Sequence, residues 1–190
     1  MLNNLRNSTK QLHEELEKEN LASQIISHEI SLEDYKLLLL QNYISYKITE
    51  AEILKYIPAY KSNKSEKLAQ DLDDLEVDKS VFEEFHGKFQ INSYEEALGT
   101  AYVVLGSALG GMYISKELPN CPALKGIPKP HFFSGERDGV KSWNSFVKEL
   151  KAENFTEIQI NQASKKAMET FEFFGLVFKE ASLNTNCNFN

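Results

Sequence analysis

Cysteine, proline and glycine are all scarce in this chain, which has two, five and nine of them among 190 residues. Cys121 and Cys187 stand far apart and form no C-x-x-C pair. That argues against a disulfide framework and against a cysteine-based zinc site. So few turn formers, with long stretches holding neither proline nor glycine, argue against a turn-rich β-architecture and for helices. Excess positive charge is missing too. The formal net charge is -7, the wrong sign for general nucleic-acid binding, which needs basic surface to displace counterions. The start, MLNNLRNSTKQLHEELEKEN, is polar and charged and does not read as a signal peptide. The apolar stretch 101–114 is too short to cross a bilayer and is interrupted by glycines. A cytoplasmic protein without nucleic-acid or membrane partners is expected.

What is present is the balance of an ordinary globular protein, 42 % hydrophobic and 26 % charged. The length suits one domain, expected over 1–181, with a flexible polar tail over 182–190. Apolar residues recur at helical spacing almost throughout. A first helix is expected over about 5–19, with Leu5, Thr9, Leu12 and Leu16 inward. Ser31 and Asp34 read as the start of a second, which Pro58 ends. A third is expected over 65–75. Phe82, Phe85 and Phe89 suggest another within 77–92. Ser93 and Glu96 form a capping box for a helix to about 118, where Pro119 stops it. The segment 120–139 reads as loop. A helix over 140–150 holds the single tryptophan, Trp143. Thr156 and Gln159 open the last helix, expected to about 181.

Two features carry chemistry. The first is His13, beside the inward stripe of the first helix, with Arg6 and Lys10 seven and three residues earlier on nearly the same face. A neutral imidazole there can ligate a metal or heme iron, and the two cations would match a pair of carboxylates. A boundary histidine on an amphipathic helix fits the same pattern. The second is Gly106-Ser107-Ala108-Leu109-Gly110-Gly111. An interior glycine costs a helix up to ~1 kcal/mol relative to alanine, so three so close together mark a site or a tight contact. They strip one face of side chains and permit a bend, so that a flat ligand can touch backbone. Close helix–helix packing explains them equally well. Other candidates are weaker. His28, His86 and His131 lack metal-ligand partners at helical spacing, Glu83 and His86 have no second E-x-x-H copy, and Glu50, Glu52, Glu95 and Glu96 read as solvated helix faces.

Together, LRNSTKQLHEELE and AYVVLGSALGGMYI resemble the proximal and distal helices of the heme oxygenase family. FFSGERDGVKSWNSFVKEL is similar to a pattern of its bacterial branch. The resemblance covers roughly residues 5–178. It implies an all-α, single-domain multi-helix bundle with heme between an N-terminal proximal helix and a kinked, glycine-containing distal helix. It implies that His13 is the iron ligand, and that Arg6, Lys10, Tyr102 and, by a looser match, Lys148 lie near the heme propionates. Gly106, Ser107, Gly110 and Gly111 would face the distal side, Gly110 nearest bound O₂, and Phe171 and Phe178 would wall the pocket. Animal-type relatives carry aspartate where Ser107 stands, which leaves open how the distal water chain is held. The activity implied is opening of heme by O₂ and electrons to biliverdin, carbon monoxide and ferrous iron. The partners implied are heme, O₂ and an electron donor such as ferredoxin, flavodoxin or a reductase, with the protein a monomer by default. The alternative is a heme carrier or sensor of the same fold without turnover.

Overall fold

A computed structural model describes residues 1–185, with side chains through Ala181. The described residues form eight α-helices and short 3₁₀ turns, without a strand. The helices are α1 (Leu2–Glu19), α2 (Ala22–Ile26), α3 (Leu32–Tyr56), α4 (Lys64–Asp74), α5 (Tyr94–Gly106), α6 (Ala108–Glu117), α7 (Asp138–Ala152) and α8 (Glu157–Thr185). The helical part of the expected tail ends at Thr185, and residues 186–190, with Cys187, lie outside the described residues.

The helix starts follow their local chemistry. Ser31 Oγ accepts from the Asp34 amide at 3.0 Å and donates to the Asp34 carboxylate at 2.8 Å. Ser93 Oγ accepts from the Glu96 amide at 3.2 Å, while the Glu96 carboxylate accepts from the Asn92 amide at 2.8 Å. At α8 the Thr156 amide donates to Gln159 Oε1 at 3.0 Å. Each pair satisfies amides that the first turn of a helix cannot bond internally.

Helix α3 is buried on most of its circumference, from Tyr35 to Ile53, and forms the centre of the bundle. Helices α5 and α8 pack on it and on each other, and α1 lies along α8. Where α5 crosses α8 the backbones nearly touch. A Cβ added at Gly99 would stand 2.1 Å from the carbonyl oxygen of Ala163. Ala163 and Ala167 are fully buried there.

Three expectations change. The helix expected over 93–118 is two helices, divided at Ser107 into α5 and α6. The segment 77–92 contains only the 3₁₀ turn Ser80–Glu84. Phe85 and Phe89 are nonetheless buried, so the aromatic spacing reports burial and not an α-helix. Gly87, at φ 86°, turns the chain in a way that no α-helix continues. Helix α2, five residues long, is too short to show periodicity; the Asn20 side chain accepts from the Ala22 amide at its start, at 2.8 Å. The stretch Tyr94–Asn120 is long and apolar enough to cross a membrane by composition, which the narrower 101–114 reading did not register. Half of its most apolar window is buried in the bundle. Packing on α3 and α8 therefore accounts for much of that apolarity.

Candidate active site between the first helix and the divided helix

A cavity of about 900 Å³ opens between α1, the α5–α6 break and α8. That is the size at which a concave site buries a large organic ligand. Arg6, Lys10 and His13 line it from α1, and Tyr102, Gly106, Ser107, Gly110 and Gly111 from α5 and α6. Phe171 and Phe178 close it from α8. The structure thus brings together every residue expected at the site except one. Lys148 is exposed on α7 and is not among the lining residues, although Trp143 of the same helix is.

The α1 side places a histidine at the rim. The His13 side chain is 54 % exposed, its ring meets Phe171 edge-on at 5.6 Å, and its Nδ1 lies 3.6 Å from a Glu17 carboxylate oxygen. A carboxylate beside one ring nitrogen orients the imidazole and leaves Nε2 for a ligand. Among the described residues, no group of three or more His, Cys, Asp or Glu side chains could hold a bare metal ion. A metal at His13 would have to bring most of its own ligands, as heme iron does.

The opposite wall settles the packing question for the glycines. A Cβ at Gly110 or Gly111 would meet nothing within 4 Å, and at Gly106 only the Trp143 ring at 3.6 Å. No neighbouring helix requires these three to be small. They leave bare backbone toward a cavity, a cradle that side chains would fill. The glycine that packing does require, Gly99, lies nearly two turns before Gly106 and drew no notice in the sequence.

At the break itself sits a polar cluster. The Tyr46 hydroxyl donates to Ser107 Oγ at 2.9 Å, and Ser107 Oγ donates to the Val104 carbonyl at 2.9 Å. The Lys64 ammonium donates to both Ser107 Oγ and the Val104 carbonyl. Burial pushes the Tyr46 phenol up to about 12, the Ser107 hydrogen bond opposing the shift, so at neutral pH it is a donor. Burial also pushes the Lys64 ammonium down to about 7, against the pull of the Glu50 carboxylate. Glu50 corrects an expectation, because it is buried and not solvated. Its carboxylate accepts from the Lys64 amide at 3.3 Å, from the Ser65 amide at 3.2 Å and from the Ser65 hydroxyl at 2.6 Å, and also from the Ser62 hydroxyl. Glu52 is likewise mostly buried, accepting from the Ile91 amide at 3.1 Å and pairing with Lys55.

A third wall comes from the loop before α7. Asp71, 4 % exposed, accepts from the backbone amides of His131 at 2.6 Å and Phe132 at 2.9 Å. That fixes Phe132 against Tyr46 at 5.7 Å and sets Phe133 in the cavity wall. Lys64, Glu50 and Asp71 were not legible as site residues. Each acts from another helix, and nothing in local spacing marks it.

An all-helical bundle with a histidine-bearing N-terminal helix facing a glycine-lined, broken helix across a large cavity defines a heme-oxygenase-like protein. The comparisons agree. The heme oxygenase family model matches residues 1–180, and the chain belongs to that family. Its structure is similar to that of the heme oxygenase from Neisseria meningitidis, which was solved in NO- and CO-bound forms. The two share 26 % identity over 93 % of this chain and 89 % of that one, with a TM-score of 0.68. No curated protein matches the sequence.

Proposed function

We propose that this chain is a heme-degrading oxygenase. In this reading it takes heme as substrate and, with O₂ and electrons from a ferredoxin, flavodoxin or reductase, yields biliverdin, carbon monoxide and ferrous iron. The observation that carries it is the pairing across one cavity of His13 with the bare backbone of Gly110 and Gly111. When bound, heme supplies both the iron at which O₂ is reduced and the ring that is opened.

The residues of this chain bind, orient and exclude. His13 would hold the iron through Nε2, with Glu17 beside Nδ1 keeping the ring oriented. A neutral histidine, unlike a thiolate, does not push electron density toward O–O cleavage. Arg6 and Lys10 at the rim, and Tyr102 one turn before Gly106, would meet the propionates and set the rotation of the ring. Gly110 and Gly111 bring backbone to the ligand and place no acidic side chain there. The aromatic rings of Phe171, Phe174 and Phe178 exclude water from the inner wall. Ser107 spends its own proton on the Val104 carbonyl and accepts from Tyr46 and Lys64, so it is not free to donate to the ligand, and protons would come through ordered water.

The test is a hemin titration followed by absorbance, then reductant in air. A saturable one-to-one Soret band that decays into the broad red absorption of biliverdin is the expected result. His13→Ala should lose the histidine-ligated spectrum. A Soret band that persists under reductant would instead identify a heme carrier or sensor, and no Soret change would overturn the heme reading altogether.

A further inference from the structure

The α5–α6 break needs something to hold it. The last carbonyls of a helix have no amide four residues on within that helix, and they carry the negative end of its dipole. Here the Val104 carbonyl, in the last turn of α5, receives an ammonium from 40 residues earlier in the chain. The same ammonium reaches Ser107, the residue at which the helix divides, and lies 5.0 Å from the centre of the Tyr46 ring. Lys64 is aimed there by its own backbone. It is the first residue of α4, whose leading amides are clamped by the buried Glu50 carboxylate one turn along α3 from Tyr46.

We propose that Lys64 is the positioning residue of the distal wall: its ammonium caps the end of α5 and fixes the Ser107 hydroxyl, so the bend that presents Gly110 and Gly111 to the cavity depends on its charge. This goes beyond the heme reading, because the bend is a property of the chain with or without a ligand. The groups facing Lys64 are few. Helix α3 presents the Glu50 carboxylate and the Tyr46 phenol, and around Glu50 the segment before α4 adds the Ser62 hydroxyl, which donates to it, and the half-buried Tyr60, whose phenol burial pushes up. The break presents the carbonyl and hydroxyl already named. Lys67, one turn on, is paired with Glu136 at 2.6 Å. Glu50 thus favours the ammonium while burial opposes it, which brings the titration of Lys64 to about pH 7. A neutral amine keeps donors but loses the charge that the helix end attracts.

Trp143, the single tryptophan, reports on the bend, because its ring lies beside Gly106 and 5.5 Å from Tyr102. The experiment is tryptophan fluorescence of the full-length protein between pH 6 and 9, without hemin, for the natural chain and for Lys64→Arg and Lys64→Met. The natural chain should show a transition near pH 7. Lys64→Arg, which stays charged, should hold the low-pH spectrum throughout, and Lys64→Met should hold the high-pH spectrum. A transition that survives in both variants belongs to another group and overturns the proposal, as does a natural chain without one. If circular dichroism shows that Lys64→Met does not fold, Lys64→Arg alone decides, since a persisting transition there is fatal. Hemin added to the same samples separates the two readings: a chain that fails to bind hemin yet shows the Lys64-dependent transition refutes the heme reading and leaves this one standing.

Discussion

At Gly99 an added Cβ would stand 2.1 Å from the carbonyl oxygen of Ala163, a backbone atom that cannot swing aside. At Gly110 the same atom would meet nothing within 4 Å. The two substitutions should therefore separate stability from function. Gly99→Ala forces α5 and α8 apart and should lower unfolding stability by about 3 kcal/mol or more, the upper end of overpacking costs. Urea denaturation measures this, and a loss under ~1 kcal/mol would show that the α5–α8 crossing yields to an extra methyl. Gly110→Leu removes a glycine from the first turn of α6 and its Cβ points into open space, so stability should hold or rise by up to ~1 kcal/mol. Its side chain would occupy the space over the ligand. Bilin formation should fall to background while hemin still binds. A normal bilin yield from this variant would remove Gly110 from the distal face.

At the scale of elements, what the sequence revealed and what it hid divide along one physical line. Helix starts were legible because a cap is a local contract between residues three apart, and Ser31 with Asp34, Ser93 with Glu96 and Thr156 with Gln159 all form as expected. His13 and the glycine run were legible for the same reason, since each breaks or decorates a local pattern. The aromatic spacing of 77–92 misled because burial at helical intervals does not require a helix, and Phe85 anchors a turn instead. The supports of the site were hidden because they are tertiary. Asp71 on α4 holds the 131–133 loop only once α4 and that loop have met. That contact makes its own prediction. Asp71→Asn keeps the shape but exchanges one accepting oxygen for a donor facing an amide. Losing a buried charge-assisted hydrogen bond costs about 1.5–3 kcal/mol. Stability should drop by that amount, and hemin affinity should weaken as Phe132 and Phe133 lose their fixed places in the wall. Unchanged hemin affinity in a measurably destabilised variant would confine the role of Asp71 to the fold.

At the scale of the whole molecule, the problem is one of charge. The chain carries a formal net charge of -7, yet the ligand proposed for its cavity is anionic at its propionate edge. Carboxylates stand at the same rim, since Glu14 and Glu17 line the cavity with His13, and Glu14 lies 3.9 Å from Lys10. Long-range attraction cannot bring such a ligand in, because fields beyond a Debye length of about 8 Å are screened at physiological salt and here have the wrong sign. Short-range pairing with Arg6 and Lys10 must then supply the orientation, and both side chains are exposed at the mouth where they can reach a carboxylate. Reversing both, as Arg6→Glu with Lys10→Glu, turns the local attraction into repulsion without touching the core. Hemin affinity should fall by roughly tenfold or more, corresponding to at least about 1.4 kcal/mol. The loss should be largest at low ionic strength and shrink as salt is added. A loss that salt leaves unchanged would point to damage to α1, and an unchanged affinity with unchanged product regiochemistry would mean that the propionates lie against another part of the rim.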